Sequence, residues 1–487
     1  MTKTISLEPA VKKIIADTET PLSVYLKLAN KKNTFLLESV EGGEKWGRYS
    51  IIGLASTKCV TVSGSEFKIL ENDIAVKTIQ TNDPLKLIED YKNSFTIKNA
   101  ENLPRFCGGL VGYFSFDTVR FTEKKLGFKN QKNGLETPDI LLLFADNFVI
   151  FDNLKNELTI VKYFKEGDLS AKEDCERSIA EISLELSQNA SSICTIENQI
   201  DNELSVESEF KKEDFMAAVN RIKNYITEGD AMQVVLSQRF CAEFQEKPID
   251  LYRALRHLNP SPYLFYFDFG EFHVIGSSPE ILVRYESGVV TTRPLAGTRP
   301  RGQTLHEDKK LEMELLKDPK ELAEHLMLID LGRNDIGKIC VTGSVEVTEK
   351  MVVERFSHVM HISSNVEGIL RKDKNAFDIL RATLPVGTLS GAPKIRAIEI
   401  IDELEPSIRG IYGGAVGYIS WKGEMDTAIA IRTGIIKDKK LYVQAGCGIV
   451  ADSQPESEWE ETVNKSKAVF QAAKLVQNNV KLRPQRK

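Results

Sequence analysis

The pattern of apolar residues predicts an α+β fold, and three observations carry that prediction. From Thr34 to about Phe164, short apolar runs are broken by glycine, asparagine and aspartate, as in a succession of strands. Beyond residue 207, helical and strand periods alternate irregularly rather than as repeated strand-helix units. In addition, GGLVGYFSF (Gly108 to Phe116) and GGAVGYISW (Gly413 to Trp421) share glycine and aromatic positions, an internal echo that fits two related layers in one fold.

In chain order, ILLLFADNFVIFD (Ile140 to Asp152), the polar NLKNE and then LTIVKYF read as a hairpin. From Glu166 acidic and polar residues take over, with a helix near Lys172 to Leu186 followed by SQNASSICTIENQIDNELS. This divides the chain into an N-terminal part (1–165), a polar connection (166–206) and a larger C-terminal part (207–487). The last part opens with an amphipathic helix carrying Phe215, Val219, Ile222 and Ile226, with Glu213 and Asp214 at its positive end and Gly229 as its stop. QVVLSQRF follows as a strand, and a final helix after Pro455 carries the capping-box pattern Ser457 to Glu460.

With 487 residues and 42% hydrophobic content, a sizeable core is expected. A net charge of -6, from 64 basic and 70 acidic side chains, gives no global field for nucleic acid or an anionic membrane, so an anionic ligand needs a local site. The seven cysteines are scattered without a CxxC pair, which argues against a disulfide framework and a zinc site and fits a reducing cytoplasm. MTKTISLEPAVKKII lacks the apolar core of a signal peptide, and no apolar run reaches the roughly 18 residues of a membrane span. The expected location is cytoplasmic.

Five stretches are rich in glycine and charge where core elements should lie: GSSPE (Gly276 to Glu280), RPLAGTRPRG (Arg293 to Gly302), KELAEHLMLIDLGRND (Lys320 to Asp335), LPVGTLSGAPK (Leu384 to Lys394), and AGCGIV with ESEWEETVNKSK beyond it. GTLSGAPK lacks GK[ST] at phosphate-loop spacing, which disfavours nucleotide binding. Together the five resemble the chorismate-utilising enzymes, the family of anthranilate, aminodeoxychorismate, isochorismate and salicylate synthases. The resemblance runs from about Glu207 to the end, and the segments before it resemble the N-terminal domain of the anthranilate-forming members. It implies two large antiparallel sheets packed as a sandwich with helices outside, the N-terminal part sharing that fold.

The resemblance also implies a site. Chorismate carries two carboxylates, and Gly297, Thr298, Tyr412, Arg432, Gly446, Gly448 and Lys465 match the family's substrate wall. Cations, together with glycine backbone that an anion can approach closely, suit that task. Glu324 and Glu461 match Mg²⁺ ligands, with Glu458 beside them; Glu458, Glu461 and Lys465 share one face of the last helix. Glu280 matches the general acid that protonates the departing C4 hydroxyl, for which its pKa must be raised. His361 matches the base for the C2 proton, and Thr388 a supporting polar contact.

Among family members the nucleophile discriminates. Water-activating members carry lysine at the head of a KVV-like strand, where this chain has Gln233; members that attack covalently carry lysine in PIKGT, where this chain has Ala296 in PLAGT. Both differences favour ammonia as nucleophile, with elimination of pyruvate to give anthranilate for tryptophan biosynthesis. Cys447, where the family has alanine, is expected to act as a small buried residue. No cysteine sits in a glutaminase turn, so a separate glutamine amidotransferase subunit, as in a heterotetramer, is expected to supply the ammonia. FLLES (Phe35 to Ser39), RYS (Arg48 to Ser50) and NPSPYLFY (Asn259 to Tyr266) resemble the family's tryptophan feedback site. Glu38, Ser39, Arg48, Pro262, Tyr263, Leu264 and Tyr418 are the expected contacts of that inhibitor.

Overall fold

A computed structural model of the chain describes residues 4–39, 47–127, 134–187, 204–356 and 359–478. Residues 188–203 of the polar connection, Cys194 among them, therefore lie outside the described residues, and so do Ser357 and His358 of the SHVMHIS stretch.

Two large sheets dominate, of 13 and 12 strands among the described residues, and every pairing is antiparallel except the short parallel one between Ile5–Ile15 and Phe95–Ile97. In the first sheet Gln233–Glu243 lies beside Lys440–Ile449, then Thr433–Lys437, Phe272–Ser278 and Tyr263–Asp268. At that point strands of the N-terminal part continue the sheet: Tyr263–Asp268 pairs with Thr34–Glu38, Leu264 opposite Glu38. Tyr49–Gly53, Asn147–Asp152, Glu157–Lys165 and Ile5–Ile15 complete that side. The second sheet has the same construction. Leu295–Pro300, Val359–Ile369, Val289–Thr292, Ile281–Glu286, Met425–Ile429 and Ala415–Ser420 meet Gly109–Phe114, Ile140–Ala145 and Lys58–Ser63.

The two echoed sequences are partners across this second junction, with Gly112 opposite Gly417. A Cβ on Gly112 would stand 2.0 Å from the Leu141 carbonyl oxygen and one on Gly417 2.1 Å from that of Asp426, so both positions need a residue without a side chain.

Side chains of both sheets meet in one apolar core that runs from Phe35 and Ile51 through Val60, Leu143 and Phe265 to Ile429. Strand alternation sends Leu36 and Ile52 to the opposite face. There a second core forms with Pro21–Leu28, Leu169–Leu186, Pro248–Leu258 and Pro455–Asn478, the helices outside the sandwich. None of the described helices is long and apolar enough to cross a membrane.

The helix Lys212–Thr227 forms as its pattern predicts, with Phe215, Val219 and Ile222 buried and Gly229 at φ +86° just beyond it. Two local expectations fail. Ile140 to Asp152 is not one strand: it divides at Asp146, so Ile140–Ala145 belongs to the second sheet and Asn147–Asp152 to the first, and only the latter forms the hairpin with Glu157–Lys165. Ser457 does not cap the last helix, which begins at Pro455; proline at the first position has no N–H to satisfy and a φ already suited to the helix.

Candidate active site

The expected site residues come from ten segments of the C-terminal part, and contacts tie them into one cluster. Gln233 starts the long strand Gln233–Glu243, and its Nε2 donates to Glu324 Oε1 at 3.0 Å. Glu324 rides on the helix Pro319–Gly337, anchored at its start by Asp318, whose carboxylate accepts from the Lys320 and Glu321 N–H groups. Opposite Gln233's strand runs Lys440–Ile449, and a Cβ on Gly448 would stand 2.3 Å from Gln233 Nε2. A Cβ on Gly446 would meet the Tyr412 hydroxyl at 2.9 Å. Glycine at both positions keeps the floor of the cluster open.

The last helix brings Lys465 over this floor. Its Nζ donates to the Gly446 carbonyl at 3.0 Å and pairs with Glu461 one turn earlier at 2.6 Å. Arg432 enters from the turn before Thr433–Lys437 with φ at +52°, a backbone region in which a non-glycine residue is strained. Its guanidinium lies within electrostatic reach of Tyr412 and Glu461.

Glu280 ends the Phe272–Ser278 strand and its loop, almost fully buried. Burial pushes its carboxyl up to about 8, offset in part by the Thr388 hydroxyl, the Leu295 N–H and the charge of Lys465. Thr388 Oγ1, itself buried, stands within that electrostatic reach but outside good hydrogen-bond geometry. At neutral pH Glu280 is therefore a protonated acid. His361, on the strand Val359–Ile369, is the converse: burial pulls its imidazole down to about 4, reinforced by Arg432 and Lys465. Its Nδ1 lies 3.1 Å from the Gly297 carbonyl oxygen, an acceptor only, so Nδ1 carries the proton and Nε2 keeps a lone pair. Thr298 Oγ1 lies 3.0 Å from the same nitrogen and fixes the ring further.

Carboxylates crowd one side. Burial raises the Glu324 pKa, and Glu321 and Glu461 raise it more; burial also raises that of Glu458, again with Glu461 adding. Among the described residues no three His, Cys, Asp or Glu side chains close into a metal cage. Mg²⁺ needs no such cage: one or two carboxylates, waters and a substrate oxygen suffice, and a dication would relieve the repulsion these acids impose on one another. Glu324 and Glu461, within electrostatic reach of each other, are the pair that such a site would use. Glu458 faces Ser453 and Cys447, to one side of them. Each of the six described cysteines has its thiol pushed up by burial, Cys59 and Cys340 to about 11, the opposite of an activated nucleophile.

The family model described as chorismate binding enzyme matches residues 35–471. The chain belongs to the chorismate-binding enzyme family. An anthranilate synthase component 1 of Pseudomonas putida is 53% identical over 473 residues, 96% of each chain. Anthranilate synthase component I of Streptococcus pneumoniae superposes with a TM-score of 0.76 at 37% identity, covering 94% of this chain and 99% of that one. The menaquinone-specific isochorismate synthase of Escherichia coli, at 19% identity over 97% and 95% of the two chains and a TM-score of 0.72, shares the fold.

This member of the family has a second cavity, between the N-terminal part and the Tyr263–Asp268 strand. Glu38, Ser39, Pro262, Tyr263, Leu264 and Tyr418 line it, six of the seven residues expected of the feedback site. Arg48 does not; it pairs with Asp152 at 2.9 Å and lies 4.9 Å from the centre of the Tyr49 ring, which does line the cavity. Glu38 turns its carboxylate away to Tyr252 and Arg256. Sequence reasoning missed the cavity's charged wall. Asp426 pairs with Arg105 at 2.8 Å and Arg284 at 2.9 Å and accepts from the Tyr263 hydroxyl at 3.0 Å. These arginines carried no motif, and only the folded sheet brings them to one aspartate.

Proposed function

We propose that the chain is the chorismate-binding component of an anthranilate synthase, forming anthranilate, pyruvate and water from chorismate and ammonia. One observation carries this reading: a carboxylic acid held protonated, Glu280, and an imidazole held neutral, His361, share a cluster whose nucleophile position holds an amide, Gln233. Arg432 and Lys465, with the open backbone at Gly446 and Gly448, hold the two substrate carboxylates. Glu280 gives its proton to the C4 hydroxyl, which leaves as water while ammonia bonds to C2. His361 Nε2 then takes the C2 proton as pyruvate departs and the ring becomes aromatic. Gln233, oriented by Glu324, donates or accepts hydrogen bonds but is too weak a base to activate water. Glu324 and Glu461 would hold Mg²⁺, which would supply positive charge against a substrate carboxylate.

The six described cysteines, whose thiols burial pushes up, support a separate glutaminase subunit as the ammonia source. The apolar cavity with its aspartate and arginine wall suits an indole and an amino acid's charged end, which supports tryptophan as feedback inhibitor. The purified chain, given chorismate, Mg²⁺ and an ammonium salt at mildly alkaline pH, is expected to produce anthranilate fluorescence and pyruvate in equal amounts. Glutamine should replace ammonium only once the partner is added. Isochorismate, or an aminated product without pyruvate, would reject the reading.

A further inference from the structure

A buried ion pair outside the reacting cluster touches several of that cluster's supports. Arg409 and Glu405 leave only 2% and 3% of their side-chain surface exposed, and their closest atoms are 2.5 Å apart. Arg409 Nη1 donates to the Leu389 carbonyl at 2.5 Å, the residue after Thr388. Its Nη2 donates at 2.8 Å to the Val235 carbonyl, two residues beyond Gln233. The guanidinium carbon lies 5.7 Å from the Tyr412 ring centre, and 4.6 Å from that of Phe116, which screens it from solvent. Glu405 Oε1 accepts from the Ser237 N–H at 2.7 Å and the Ser237 hydroxyl at 2.8 Å. Ser237 pairs directly with Gly446, and its hydroxyl accepts from Gln444 at 2.8 Å.

We propose that Arg409, oriented by Glu405, is a positioning residue for turnover: one planar guanidinium sets Gln233, Thr388 and Tyr412 in fixed relation, and Glu405 extends the same frame to Gly446. Only a guanidinium has donors in a plane wide enough to reach a carboxylate and two carbonyls from different segments at once. Stability alone does not call for such an arrangement, because buried ion pairs are commonly replaceable by apolar residues of similar volume. Of the cations for the substrate's carboxylates, Lys465 meets this frame only at its far end, through the Gly446 carbonyl, so loss of the frame should strike kcat more than substrate affinity. The inference rests on the anthranilate-forming reading, and the wild-type ammonium assay tests that reading by itself.

The test compares the wild type with Arg409→Lys and with the double variant Arg409→Met, Glu405→Leu, measuring kcat and KM for chorismate together with thermal unfolding. Arg409→Lys keeps the charge but loses the fork. It is expected to unfold within a few degrees of wild type while kcat falls at least about tenfold, as misplacement on the ångström scale does. The apolar double variant should fall about a hundredfold in kcat with KM changed less than about fivefold. If Arg409→Lys, or the folded double variant, keeps kcat within about twofold of wild type, the pair only stabilises the fold and the positioning role is overturned. Should the double variant fail to fold, Arg409→Lys decides alone.

Discussion

The Glu280 carbonyl oxygen accepts a hydrogen bond from the Ile429 N–H at 3.0 Å, and Ile429 directly follows Ala428 on the wall of the aromatic cavity. A parallel link runs through the neighbouring strand: Leu264, on that wall, pairs with Ser277, whose N–H donates to the Arg432 carbonyl at 3.2 Å. Both the proposed acid and the strained cation are thus one backbone hydrogen bond from the strands that enclose the second cavity. A ligand there that favours one arrangement of these strands would bias the active site in the same equilibrium.

Ser39→Phe places a ring in that cavity without touching the reacting cluster. The expected outcome is kcat within about twofold of wild type and a tryptophan concentration for half inhibition raised at least about tenfold. Titration of initial rates with tryptophan measures both, and unchanged sensitivity would remove the cavity from regulation.

Burial raises Glu280 from its ordinary 4.5 to about 8, which has one consequence for rate and another for stability. The acid form is lost as pH rises through about 8, so kcat/KM corrected for free ammonia should fall on the alkaline side. For stability the folded chain holds a proton that the unfolded chain has released, so this group's contribution declines between pH 4.5 and 8 and stays low above that. Glu280→Gln removes the titration. It should cost at least about a thousandfold in kcat, yet unfold about 4 °C higher than wild type at pH 9 and nearly the same at pH 5. Parallel melting curves at the two pH values are the check.

Glu461→Gln removes a carboxylate from the crowded side and breaks the 2.6 Å pair with Lys465. Turnover is expected to disappear, or to need at least about tenfold more Mg²⁺, whereas Glu458→Gln, turned toward Ser453 and Cys447, should shift the requirement less. Magnesium titrations of initial rate separate the two, and a normal magnesium response in Glu461→Gln would withdraw the metal assignment.

Much of the reacting cluster was legible in the sequence because its chemistry depends on residue type within short motifs: GSSPE ends in Glu280, SHVMHIS contains His361, and the last helix carries Glu461 and Lys465 at a spacing that fixes their common face. The remainder depended on partners far apart in the chain. Arg409 is one arginine among many until a carboxylate and two carbonyls converge on it, and Arg105 and Arg284 mean little until Asp426 joins them. The break at Asp146 escaped notice because an apolar run crossing from one sheet to the other has the same period on both sides. At the last helix the Ser457 and Glu460 pattern matched a cap, but Pro455 had already set the start.

The two junctions, Leu264 against Glu38 and Gly112 against Gly417, lie in the interior of their sheets. During synthesis the N-terminal strands emerge first and must wait with bare hydrogen-bonding edges until Tyr263–Asp268 and, much later, Ala415–Ser420 leave the ribosome. The nascent chain is thus a template for wrong pairing throughout most of its translation, and its dependence on chaperones should track the delay before Gly417 reaches Gly112.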